Sequence, residues 1–214
     1  TVAGNFLIVV LVSTDAALQS PMYFFLRTLS ALEIGYTSVT VPLLLHHLLT
    51  GRRHISRSGC ALQMFFFLFF GATECCLLAA MAYDHFSAIC NPLLHSVHMS
   101  RRLCTQLVAG SYFCGWASSI LQVSVTFSVS FCASRVIDHF YCNSYQIEKI
   151  SCSNLFVNKM VSLSLSVIII LPTIVVIIVS YLYIVSSVLK IPSSEGRKKD
   201  FSTCSSHLGV VSLL

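Results

Sequence analysis

The chain is organised by long apolar runs separated by short polar links. Four runs, 23–49, 61–83, 103–126 and 160–189, reach the roughly 20 apolar residues a helix needs to cross a bilayer. Residues 1–12 read as the end of a first span and 201–214 as the start of a sixth. At about 1.5 Å per residue that last run covers only about 21 Å of a hydrocarbon core about 30 Å thick. About six spans are therefore expected, the first and last incomplete. Stretches such as "MFFFLFFGA" (64–72) do not alternate, as membrane strands do over about ten residues. Pro42 and Pro172 fall inside runs, which membrane helices tolerate. Ala109, Gly110, Ser111, Gly115, Ala117, Ser118 and Ser119 crowd the 103–126 run, and small residues let helix backbones approach in lipid. The pattern predicts an all-α transmembrane helix bundle forming one membrane domain over 1–214.

Composition strengthens the membrane reading. The chain is 56% hydrophobic and 10% charged, with a mean hydropathy of +0.82; a soluble domain carries about 25% charged residues. Residues 1–12 lack a basic leader and a small-residue cleavage site, so they are not read as a signal peptide. The net charge of +5 fits membrane flanks rather than a nucleic-acid partner. Basic residues divide almost evenly between the two sets of links, so they barely orient the chain.

Cysteine orients it better. Ten are present; Cys132, Cys142 and Cys152 lie in the polar connection 127–159, and Cys60 opens the third span. Counting spans puts all four on one face, where three pairings are open to them. Their spacing does not match zinc ligand pairs. Disulfides persist outside the cytosol, so this face is placed outside, with 127–159 as an outer loop. Asp84, His85 and the basic "GRKK" of 196–199 then face the cytosol.

Five stretches resemble one family in order and spacing: "GN" at 4–5, "PMYFFLRTLS" at 21–30, "MAYDHFSAICNPL" at 81–93, "SY" at 180–181 and "KKDFSTCSSHL" at 198–208. They are similar to the signatures of vertebrate odorant receptors, rhodopsin-like G-protein-coupled receptors of the plasma membrane. The resemblance implies a bundle of the seven-helix receptor type, here truncated. It also implies that small lipophilic odorants are bound and that a stimulatory heterotrimeric G protein is activated, raising cAMP. The alternative is a non-signalling receptor relic with impaired coupling. Neither reading is enzymatic. No nucleophile elbow or zinc signature frames the serines and histidines, and the paired repeats of a transporter are absent.

The resemblance also assigns residues. Cys60 with Cys142, and Cys132 with Cys152, correspond to the disulfides that fold the outer loop into a lid. Phe67, Leu68, Gly71 and Ala72 match pocket-facing positions of the third span, and their spacing puts them on one helix face. Leu165, Ser166 and Ile169 are their expected partners on the fifth. Glu33 and Glu74 are acids deep in apolar runs, where an unneutralised charge costs about 3 kcal/mol or more. In similar receptors these positions gather sodium; two acids can alternatively share one proton. Tyr181, Lys198 and Lys199 resemble residues of the activating inner face, and Asp200 stands where the family usually has alanine. Asp84, His85 and Phe86 stand where the family has an acid, an arginine and a tyrosine. Arginine is always charged and offers five donors, whereas histidine, with a reference pKa of about 6.5, is mostly neutral at cytosolic pH. The expectation is that Asp84 favours the charged form of His85, that coupling is impaired, and that His95 and His98 are solvated.

Overall fold

The computed structural model describes residues 1–50, 56–128, 144, 147 and 156–189, with the backbone alone at Ala17, Leu43, His46, His47, Leu48, Thr50 and Ser96. Among the described residues six α-helices follow in order: α1 Val2–Thr14, α2 Pro21–Thr50, α3 Arg57–Cys90, α4 Pro92–His98, α5 Arg101–Phe127 and α6 Phe156–Val188. A single 3₁₀ turn, Ala16–Leu18, links α1 to α2. No strand occurs among the described residues. Cys132, Cys142, Cys152, Lys198, Lys199, Asp200 and the whole 201–214 run lie outside the described residues.

Local chemistry sets the helix starts. Ser56 Oγ accepts from the Gly59 N–H at 3.1 Å and Ser100 Oγ from Leu103 N–H at 3.4 Å, satisfying amides that a helix's first turn leaves open. Pro21 and Pro92 occupy first-turn positions, where a missing N–H costs nothing. Pro42 and Pro172 remain inside α2 and α6. The helices overrun the apolar runs by a few residues at most ends. The short α4, too polar to register as a run, was not anticipated.

α3 is the central element and packs against α2, α5 and α6. One core cluster joins Phe25, Leu29 and Leu32 of α2 to Leu77, Leu78 and Met81 of α3, Cys104 of α5, and Ile177, Tyr181, Ile184 and Val188 of α6. A smaller cluster at the other end gathers Cys60, Met64 and Ile147. The outward surfaces are apolar: Ile168 is 67% exposed and Leu182 66%. The most hydrophobic window of α6 has a mean hydropathy of 2.8 and is only 6% buried. Apolar surface on this scale suits a membrane rather than water.

The small-residue stripe of α5 is sorted by the fold. Ser111, Gly115 and Ser119 are buried, while Ala109 and Gly110 face outwards. A Cβ on Gly115 would meet Thr73 Oγ1 and would lie 2.7 Å from the Phe69 carbonyl oxygen. Glycine is required there because α5 rides directly on the α3 backbone.

Candidate functional site

Buried positions of α6 cluster from Thr173 to Val188, and Asn158 is buried near its other end; none falls between 159 and 172. That gap faces α3 across a cavity of about 440 Å³. Its walls include Phe67, Leu68, Gly71 and Ala72 from α3, and Leu165, Ser166 and Ile169 from α6. All seven residues singled out for a pocket therefore line one space. A Cβ on Gly71 would find nothing within 4 Å, so its missing side chain is part of the void. The volume lies within the ~300–1,000 Å³ of small-molecule sites.

Helix α5 contributes what the sequence reading omitted. Ser118 and Gln122 also line the cavity, with Cys75, Ser144, Ser162 and Ile170. Gln122 Nε2 donates to Ser162 Oγ at 2.7 Å and to Thr126 Oγ1 at 3.1 Å, and Thr126 Oγ1 donates to Asn158 Oδ1 at 3.3 Å. Two i, i+4 pairs, Gln122–Thr126 and Asn158–Ser162, thus face each other across α5 and α6. The signal was available: Ser111, Gly115, Gln122 and Thr126 recur at helical spacing among bulkier apolar residues.

Arg57 Nη2 donates to the Phe127 carbonyl oxygen at 2.8 Å, tying the start of α3 to the end of α5. Cys60 is disulfide-bonded, and its partner lies outside the described residues. Deeper in the bundle, the Glu33 and Glu74 carboxyl groups are neighbours. Two neighbouring acids can share one proton. No group of three or more His, Cys, Asp or Glu residues is assembled for a metal among the described residues.

At the opposite end of α3, burial holds the His85 imidazole below its ordinary pKa, and although Asp84 favours its charged form, as expected, that pull is outweighed. Asp84 Oδ1 lies 2.9 Å from His95 Nε2, not in a bond with its neighbour His85. The Asp84 side chain is only 4% exposed and that of His95 23%, so His95 is a partner rather than a solvated histidine. His98 is exposed, as expected. The cause is geometric: successive side chains diverge by about 100° on a helix, while α4 folds back and brings His95 under the acid. His85 is itself buried, and its Nδ1 lies 2.8 Å from the Met81 carbonyl oxygen; a carbonyl only accepts, so Nδ1 carries the proton. Phe86 packs on Tyr183, ring centroids 5.6 Å apart, and Cys90 Sγ lies 3.2 Å from Ser187 Oγ. These contacts, with buried Tyr181, close α3 against α6 at this end.

A helical bundle with apolar outward surfaces and a cavity between its central helices suits a membrane receptor. The whole chain, residues 1–214, matches the olfactory receptor family model. It is 60% identical over 211 residues to human olfactory receptor 9K2, covering 99% of this chain and 63% of that protein. It is likewise 60% identical over 213 residues to human olfactory receptor 10C1, covering 100% and 68%. Mouse olfactory receptor 5G9 is 44% identical over 214 residues, covering 100% and 68%. The chain thus spans roughly two thirds of the length of these relatives, and it belongs to the olfactory receptor family. It is an all-α, multi-pass protein of the plasma membrane, and its relatives are receptors rather than enzymes.

Proposed function

We propose that this protein is an odorant receptor, not an enzyme, that takes small lipophilic molecules into the cavity between α3, α5 and α6. Binding would activate a stimulatory G protein and raise cAMP. The cavity is the observation that supports this reading: its walls are mostly apolar, and a glycine leaves it open at the centre. The disulfide at Cys60 favours that end facing outwards, where odorant arrives. The Asp84 end would then meet the G protein, through Asp84, His85, Phe86, Tyr181, Lys198 and Lys199. In this reading Cys60 pairs with Cys142, and Cys132 with Cys152. The Glu33–Glu74 pair biases the resting state by holding one proton or one sodium ion. Nothing in the fold favours a relic over a working receptor. The test is agonist-evoked cAMP from surface-expressed receptor, in cells with and without the stimulatory Gα subunit. A signal that needs Gα supports the function; responses that survive its loss reject it.

A further inference from the structure

The hydrogen-bond network beside the cavity has one acceptor left over. Thr126 gives its single hydroxyl proton to Asn158 Oδ1, so towards Gln122 it can only accept. With Asn158 Oδ1 facing Thr126, Nε2 of Gln122 is the atom that faces Thr126, and the same nitrogen donates to Ser162. Both amide protons are then in use. The remaining atom, Gln122 Oε1, has no donor among the described residues, although Gln122 is 94% buried. Ser162 accepts from Gln122, and its own proton has no acceptor among the described residues. Of the other hydroxyls lining the cavity, Ser118 donates to the Gly115 carbonyl oxygen at 3.1 Å and Ser144 to Met64 Sδ at 3.8 Å, while Ser166 is exposed and stands apart from this network. Buried polar groups in folded proteins are almost always satisfied, so this pair marks where a polar ligand group would sit.

We infer that the cavity selects odorants carrying a hydroxyl group, an aliphatic alcohol or a phenol. The ligand O–H donates to Gln122 Oε1, and its oxygen accepts from the Ser162 hydroxyl. One hydroxyl answers both atoms, whereas an ether, ketone or aldehyde answers Ser162 alone and leaves Gln122 Oε1 buried without a donor. A site built around a substrate hydroxyl rejects analogues lacking it far better than an apolar pocket rejects a missing methylene. The inference rests on the cavity being the odorant site.

The test uses the surface-expressed receptor, a cAMP reporter, and straight-chain and cyclic C6–C10 alcohols, each matched with its methyl ether and its aldehyde or ketone. Agonists should fall among the alcohols, with the matched ethers and carbonyl compounds weaker by roughly 10- to 100-fold in EC50, the loss set by one unsatisfied buried acceptor. Gln122→Leu should shrink that alcohol-to-ether ratio to below about threefold, whereas Gln122→Glu, which keeps an acceptor, should preserve it. Equal potency of alcohols and ethers on the parent receptor overturns the inference without recourse to any variant, as does a panel in which no alcohol is an agonist. Gly71→Leu separates the two layers of the argument. If it weakens every agonist while the alcohol-to-ether ratio stays near one, the cavity stands and the hydroxyl selection falls. If it weakens none, the cavity reading itself falls, and the inference with it.

Discussion

Filling the void at Gly71 provides the sharpest test of the cavity, because the substitution has little else to disturb. A Cβ there meets nothing within 4 Å, so neither alanine nor leucine should strain the bundle. Leucine adds four carbons. If each displaces about the 30 Å³ a water occupies, the side chain takes on the order of 100 Å³, roughly a quarter of the 440 Å³ present. An odorant that fitted the parent would have to withdraw two or three methylenes from the walls, at about 0.8 kcal/mol each. The expected loss is about 2 kcal/mol, or roughly a thirtyfold rise in EC50. Alanine withdraws about one methylene and should raise EC50 about fourfold. Dose–response curves are read as cAMP at surface levels matched by an extracellular epitope. A graded shift, parent to Ala to Leu, supports the placement. Unchanged curves for the leucine variant at matched display would refute it.

Four further predictions rest on other contacts. Gly115→Ala should cost about 1–3 kcal/mol through overpacking and reduce surface display, because its neighbours are the α3 backbone and Thr73. Gly35→Ala should be milder, since the new Cβ meets only the Phe70 ring, 2.7 Å away at Cζ, which can turn aside; equal loss of display would contradict the distinction. His95→Ala leaves the Asp84 carboxylate buried without its donor, a loss of about 2 kcal/mol and several degrees in the melting temperature of the purified receptor; His95→Asn, which keeps an N–H, should recover part of it, and an unshifted melt for His95→Ala would dismiss the pair. His85→Arg is expected to raise maximal cAMP several-fold at matched surface expression, since arginine can compete for Asp84 with more donors than histidine; coincident curves for parent and variant across agonists would discard the idea.

The fold was readable because lipid imposes one rule along the whole chain. Residues 61–83 and 160–189 are apolar over enough length to cross a membrane; α3 contains the first and extends beyond both its ends, and α6 starts four residues before the second and covers all of it but Leu189. The α3 wall of the cavity was readable because Phe67, Leu68, Gly71 and Ala72 share a helix face and match family positions. Gln122 and Ser162 were not, because a polar residue in an apolar run signals burial without naming its partner, and the bond joining them spans 40 positions. The Asp84 partner was missed for a related reason. Adjacency in "DHF" suggested His85, whereas the turn at Asn91–Pro92 returns the chain so that a residue eleven positions later meets the acid. Sequence spacing predicts contacts within a helix well and contacts across a turn poorly.

The uneven burial of α6 makes that helix a balanced lever. Ile177 sits in the packed core; Ser166 lies eleven residues before it, against the cavity, and Val188 eleven residues after it. Each arm is therefore about 16 Å long. A rigid helix pivoting at Ile177 would convert a sideways push at Ser166 into an equal and opposite displacement at Val188, beyond the Phe86–Tyr183 contact. Pro172 stands on the cavity side of that fulcrum. Any bending there would be taken from the stroke before it reached the far arm, so the stiffness of the helix at one proline would set how much of a push from the cavity arrives at the other end.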